Sequence, residues 1–424
     1  MNTPGSEFLP AFILPVLLLC PLAPAGLALL NTGLARSRSA AQILLGSICI
    51  FAISVIAFAF IGASIAGPQH AFSLSAGRIS WNWFAFGPSA MGAFRSSAPL
   101  AQLTILFEAL AAVLLCLIPW GAGADRLRLA AGCASTVVLS AFIFPLVAHW
   151  VWGGGWLAQL GSSAGLGAFF LDPSGAATVH VLGGLGALAT VWIAGPRRGK
   201  FPREGLATAM PAHNTVYVLL GCLITLVGWM AWNSAGAMLF LSATPGTVAV
   251  TILNTLLAAS GAILATVVVT RVRFGKPDAS LCANGWLAGL VTSSACASVV
   301  SPGAALFTGA VAGIFTPLLV EVLELALSID DPTGAITVHA AGGLWGLLAA
   351  GVFAPQKGQL LAQLVGISAL LGVFLPLVYA LFALINRFIP FRADADGERL
   401  GMDLHELGGA AYPEFVIHRD DSYR

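Results

Sequence analysis

Eleven stretches of about 20 apolar residues, separated by short polar breaks, account for most of the chain. They fall at roughly 8 to 31, 41 to 66, 98 to 120, 128 to 150, 176 to 195, 213 to 235, 248 to 270, 281 to 299, 303 to 325, 336 to 354 and 361 to 386. That length suits a helix crossing a hydrocarbon core, where the backbone must satisfy its own hydrogen bonds. Only 9% of the 424 residues are charged, against about a quarter in water-soluble domains. The expected fold is an all-α integral membrane protein with eleven transmembrane helices. Residues 1–386 form the membrane domain and residues 387–424 a tail.

An odd number of spans puts the termini on opposite faces. Sixteen of the nineteen basic residues sit in one set of loops: Arg36, Arg38, Arg126, Arg128, the "PRRGKFPREG" loop from Pro196, Arg271, Arg273, Lys276 and the tail from Arg387 onward. The opposite set holds Arg78, Arg95 and Lys357. Basic loops stay cytoplasmic, so the N-terminus is expected outside and the tail inside, in a cell inner (plasma) membrane. The first segment has no basic residue before it and is too long for a signal-peptide core. Its Pro21 and Pro24 point to a kinked first span.

Several function classes drop out. The seven cysteines lie in or beside apolar spans without metal-ligand spacing and read as small buried hydrophobes. No phosphate-binding glycine loop, nucleophile elbow or hydrolytic carboxylate pair occurs, so neither an enzyme nor a cofactor is expected. A net charge of +1 gives no reason to expect nucleic acid.

The strongest internal signal is a repeat. Asp172 to Leu185 reads "DPSGAATVHVLGGL" and Asp331 to Leu344 reads "DPTGAITVHAAGGL", with ten of fourteen positions identical at an offset of 159 residues. Five spans separate the copies, so the second is inverted. The pattern implies a five-helix inverted repeat, spans 1–5 and 6–10, with an extra eleventh helix and a site at the midplane. Asp-Pro opens each copy as a helix-start signal. Each histidine, His180 or His339, follows its aspartate by eight residues, about 12 Å of helix rise. Antiparallel copies thus bring two imidazoles together at mid-membrane, and the glycine and alanine residues around them allow close helix approach.

A histidine in a span can be a mere interhelical strut. Its occurrence twice at matched positions favours a pathway, because ionisable groups at membrane depth are costly. Two adjacent imidazoles resist protonation through burial and mutual repulsion. Kept neutral, the pair suits a small hydrogen-bonding solute or a shared proton, and not a bare metal ion.

With these residues in view, the chain resembles the ammonium transporter family (Amt/Mep/Rh), on the Amt side. The matching stretches are "PAGLALLNTGLARS", "VAHWVWGGGWLA", "PAHNTVYVLLGCLITLVGWMAWNSAG", "CANGWLAGLV", both histidine repeats and "GMDLHELGGAAYPEF". The resemblance implies a homotrimer with one hydrophobic pore per protomer. Ammonium would be recruited by an outer vestibule, lose its proton, and pass two gating phenylalanines and the twin histidines. Carried over, the pore histidines are His180 and His339, the organising carboxylate Asp172, the vestibule tryptophan Trp152 and the third-span vestibule phenylalanine Phe107. His213, in "PAHN", is expected to anchor a helix start.

Four positions depart from the family pattern. Ala111 stands for the outer gate phenylalanine, Glu108 for the neighbouring glutamine, Trp232 for the inner gate phenylalanine, and Gly236 for a vestibule serine. One reading is a site for a methylated or bulkier amine, with Trp152, Phe107 and Trp232 presenting ring faces and Glu108 a counter-charge. The other is that Trp232 fills the volume vacated at Ala111. Glu321 and Glu324 are expected at a helix end or interface, and Asp330 and Asp331 to cap the tenth helix. In the tail, Leu407 and Gly409 replace a histidine and an acid, which weakens the implied link to a P-II-type regulator. A third reading is an ammonium sensor acting with a separate partner, since the 38-residue tail leaves no room for a signalling domain.

Overall fold

The computed structural model describes residues 8–68, 72–76, 79–204 and 206–413. Arg78 and residues 414–424 of the tail, with Arg419 and Arg424, lie outside them. Among the described residues, ten helices are long and apolar enough to cross a membrane: α1 (Pro10–Leu34), α2 (Ser37–Ala66), α3 (Pro99–Ala122), α4 (Leu129–Val151), α5 (Ala176–Ala194), α6 (Thr215–Phe240), α7 (Pro245–Phe274), α9 (Pro302–Ala326), α10 (Ile336–Phe353) and α11 (Gln359–Phe388). Between α7 and α9 lies α8 (Ala279–Cys296), the remaining expected span. It is less apolar because it faces protein on most sides. Its Ser293 and Ser294 hydroxyls accept from Asn233 and Trp229, and its Thr292 hydroxyl donates to the Gly342 carbonyl. Polar side chains are tolerated at membrane depth where neighbouring helices complete their hydrogen bonds.

The predicted breaks have local causes. Helix α1 is interrupted between Leu17 and Leu22, at Pro21. The break before α9 ends at Ser301, whose hydroxyl accepts from the Ala304 amide, with Pro302 in the first turn.

The inverted repeat is visible in reciprocal contacts. Helices α1 and α6, equivalent members of the two halves, pack through Gly26 and Gly221; a Cβ on Gly221 would lie 2.7 Å from the Gly26 carbonyl oxygen. In α5 and α10, a Cβ on Gly184 would strike the Ala340 backbone, and one on Gly343 would approach the Val181 amide at 3.3 Å. The Gly184–Ala340 and Val181–Gly343 contacts map onto each other through the 159-residue offset. The glycines therefore permit the close crossing that the repeat predicts.

One element departs from the all-α expectation. Between α2 and α3 the chain forms an antiparallel hairpin, β1 (Phe72–Ala76) and β2 (Ile79–Phe84). Trp83 of β2 stacks on Trp156 at 5.4 Å, and the Trp150 indole donates to the Trp83 carbonyl at 2.8 Å. Tertiary stacking thus holds a pair of strands too short to be stable alone. The hairpin marks one face of the bundle, and the tail docks on the other.

On the tail face, charged groups from distant loops are fastened together. Arg197 grips Asp330 through Nε and Nη2, each at 2.9 Å, and reaches Asp125 through Nη1 at 2.9 Å. Arg126 donates to the carbonyls of Gly195, Ala124 and Asp330. Asp330 is therefore an ion-pair partner, which corrects its reading as a cap, whereas the Asp331 carboxylate does cap the Ile336 amide at 2.7 Å. Glu321 and Glu324 pair with Arg273 and Lys200. In the tail, Asp403 accepts from the Gln42 amide, Glu406 from the Leu129 amide, and Glu398 from the Arg198 amide. Asp403 and Glu406 thus bind the tail to the starts of α2 and α4 of its own chain, and Glu398 binds it to the loop after α5.

Candidate functional site

Helices α5 and α10 begin on opposite faces and meet at their histidines. Each histidine lies in a wide π-helical turn, Ala176–Val181 and Ile336–Ala341. Such turns leave an intrahelical bond displaced and recur at functional sites. The His180 and His339 Nδ1 atoms are 3.3 Å apart and the rings nearly parallel, with centroids 5.2 Å apart. A hydrogen bond between two Nδ1 atoms requires one to donate and the other to accept. Two neutral rings sharing it therefore leave one Nε2 with its hydrogen and the other with its lone pair. His180 Nε2 is buried without a partner, so this polarity is open to a further hydrogen bond.

Trp229 of α6 holds the pair from one side. Its indole stacks on His180 at 5.1 Å and an interplanar angle of 14°, and is itself pinned by a bond to the Ser294 hydroxyl at 3.0 Å. Sequence reasoning missed this residue; a tryptophan in an apolar span carries no signal of which ring it will meet.

On the hairpin side, Asp172 organises the start of α5. Its Oδ2 accepts from the Ala177 amide, the Thr178 amide and the Thr178 hydroxyl, all within 3.0 Å, while Oδ1 is buried and unpartnered. Burial pushes this carboxyl up to about 6 in spite of those bonds. The Trp152 indole donates to the Asp172 carbonyl at 2.6 Å. The structure therefore brings Asp172 and Trp152 together on the histidine side of the hairpin.

The aromatic side chains pack on one another. Trp152 stacks face to face with Phe240 at 4.8 Å and 8°, a partner the sequence reading did not identify. Phe107 lies against Trp232 at 4.7 Å and meets Trp152 and Phe240 edge-on. Phe107 and Trp232 are fully buried, and the Trp232 indole is fixed to the Ser174 carbonyl at 2.9 Å. Of the two readings of these rings, the packing observed among the described residues is the closed one: Phe107 and Trp232 have each other's surfaces as neighbours. Ala111, one helical turn from Phe107, is also fully buried.

Gly236 plays a packing role. A Cβ there would collide with the Pro173 carbonyl and come within 2.5 Å of the Ser174 hydroxyl. The loop that carries Asp172 thus rests directly on α6, and a serine would have to displace it. Glu108 is 4% exposed, and no hydrogen bond or ion pair is formed by its carboxyl group among the described residues. His213, by contrast, bonds the Ala35 carbonyl and the Tyr412 hydroxyl on the tail face, away from the histidine pair, and Asn214 caps α6.

Comparison with known proteins places this geometry. A profile of the Ammonium Transporter Family matches residues 11–412. Ammonium transporter Amt2 of Archaeoglobus fulgidus is 32% identical, over 92% of this chain and 85% of that protein. Amt2 of Haloferax mediterranei is 33% identical, over 95% and 90%. Among solved structures, a sensor Amt protein superposes with a TM-score of 0.86 at 25% identity, covering 94% of this chain and 98% of that one. Saccharomyces cerevisiae Mep2 gives 0.78 at 26% identity, covering 92% and 88%. The eleven-helix inverted repeat and the match along nearly its whole length make this chain a member of the Ammonium Transporter Family.

Proposed function

We propose that the chain transports ammonium across a membrane, and that the solute passes the His180–His339 pair as neutral ammonia. The observation that carries this reading is the pair itself, two buried imidazoles joined at 3.3 Å with an unpartnered ring nitrogen. Stripping water from a cation without full compensation costs many kcal/mol, so a neutral species is favoured between fully buried rings. Asp172 and Trp152 form the approach on the hairpin side, and Glu108 supplies a further acidic group in the bundle. Trp232 against Phe107 forms the constriction above the histidines.

The packed aromatic cluster favours an ammonium-sized solute over a bulkier amine, since Trp232 takes up volume a methylated amine would need. In this reading the hairpin face is outside and the tail inside a plasma membrane, which the bias of basic residues toward the tail-side loops supports. Half or fewer of the residues of α2, α9 and α11 are buried, which leaves broad apolar faces for lipid and for the neighbours of a homotrimer. The tail acts as a cytoplasmic strap, and the bonds that residues within 387–413 make to the rest of the chain support such a role without a P-II-type partner.

Growth of a host strain lacking its own ammonium uptake tests the proposal. Expression of the wild-type chain restores growth on low ammonium, and His180→Ala and His339→Ala variants that reach the membrane at wild-type level do not support it equally. Binding of ammonium without growth or flux would replace transport by the sensor reading. Faster flux of methylammonium than of ammonium, abolished in Glu108→Gln, would restore the bulkier-amine reading.

A further inference from the structure

The second copy of the Asp-Pro loop, on the tail face, leaves open what the first copy closes. On the hairpin face, Asp172 Oδ2 takes the amide and hydroxyl of Thr178, and the Ser174 hydroxyl donates to the Asn233 carbonyl. On the tail face, Asp331 Oδ2 takes the Ile336 amide, and the hydroxyls of Thr337 and Thr333, equivalent to Thr178 and Ser174, are buried without partners. Asp331 Oδ1 and Asn284 Oδ1 are buried and unpartnered as well. Thr337, Thr333 and Asn284 are 0%, 3% and 5% exposed.

These four oxygens come from the Asp-Pro loop (Asp331, Thr333), the first turn of α10 (Thr337) and α8 (Asn284). Gly334 sits between Thr333 and α10 with a left-handed φ of 68°. The Asn284 amide of α8 occupies the space where a Gly334 Cβ would stand, its Oδ1 at 3.4 Å from that point. An alanine here would both strain the backbone and push Asn284 away. Arg126, the cation whose charge acts on Asp331, donates to three carbonyls instead, one of them that of the adjacent Asp330. Buried polar atoms are rarely left unbonded, because each carries a full desolvation penalty. Four together, one of them on a carboxylate, make a cradle of oxygens suited to a small cation that donates hydrogens.

We propose that Asn284, Asp331, Thr333 and Thr337 form a second ammonium-binding site, on the tail side of the histidine pair. The proposal rests on the transport reading above and deepens it. Asp331 precedes His339 by the same eight residues that separate Asp172 from His180, so the two Asp-headed loops flank the pair from opposite faces. The tail-face site holds the cation by oxygen atoms, whereas the hairpin-face loop has aromatic rings beside it.

Two measurements on the full-length protein decide it. Rubidium, which has nearly the size of ammonium, is added to wild-type crystals and located by anomalous scattering; a peak among the four oxygens is expected, and a position holding only water overturns the proposal whether or not the protein transports. In oriented proteoliposomes, the half-saturating ammonium concentration for current is then read from each face. Thr333→Val with Thr337→Val keeps shape and removes both hydroxyls, and raises the tail-face value about tenfold with little change on the hairpin face. Equal shifts on both faces, or none, overturn the site. Absence of wild-type current from either face would instead sink the transport reading, and the rubidium peak would still judge the site.

Discussion

Replacing Asp330 by asparagine tests whether the tail-face ion cluster fastens the two halves of the bundle. Burial alone would raise the Asp330 carboxyl. The hydrogen bonds and charge of Arg197, with the charge of Arg126, overcome this and lower it from 3.8 to about 2. Both side chains of the pair are nearly inaccessible, at 3% and 2%, so little of the interaction is lost to solvent screening. A depression of about two pH units corresponds to roughly 2 to 3 kcal/mol favouring the folded, ionised form. Asparagine approximates the protonated acid, so Asp330→Asn forfeits about that amount at neutral pH. With an unfolding entropy of about 2.1 cal/mol/K per residue, a chain of 424 residues melts about 3 °C lower. The free cysteines buried in the bundle, Cys20, Cys116, Cys222, Cys282 and Cys296, allow a thiol-reactive dye to report melting. Because the folded value is depressed, the stabilisation is fully present above 3.8 and disappears as pH falls through about 2. The gap between wild type and variant therefore narrows over that window. An unchanged melting temperature at pH 7, or a gap that stays constant down to pH 2, would refute the reasoning.

Gly236→Ser should destabilise the protein by about 1 to 3 kcal/mol, as overpacking does, and Gly236→Ala by a similar amount, since the Cβ itself meets Pro173. Equal melting temperatures for wild type and both variants would show that the loop yields freely. Asp403→Ala removes the acceptor for the Gln42 and Ala41 amides, costing about 1 kcal/mol as a lost helix cap. Limited proteolysis should then release the tail faster than in wild type; an unchanged cleavage rate counts against the strap.

The parts of this architecture that are periodic or repeated were legible in the sequence. Apolar length gave the spans, including α8, and the 159-residue repeat gave the inversion and the meeting of His180 with His339. Contacts made across long separations left no such trace. Asp330 looked like a cap because it adjoins a helix start, yet its partner Arg197 lies 133 residues away. Trp229 and Phe240 looked like ordinary span residues until their rings met His180 and Trp152. Gly236 read as a missing hydroxyl, whereas the structure makes it the point where the Asp172 loop leans on α6. The hairpin does carry an alternating pattern, Phe72 to Ala76 and Ile79 to Trp83, but strands this short are stable only when packed, and the tryptophans that hold them, Trp150 and Trp156, lie far along the chain.

Ammonium-driven flux through purified protein in liposomes, compared among wild type, His180→Ala and His339→Ala, tests the central claim most directly. The account predicts saturable flux in wild type and a fall of about tenfold or more in each variant, the scale of one lost buried hydrogen bond in the rate-limiting passage. No wild-type flux at any pH, or flux indifferent to both substitutions, would contradict it.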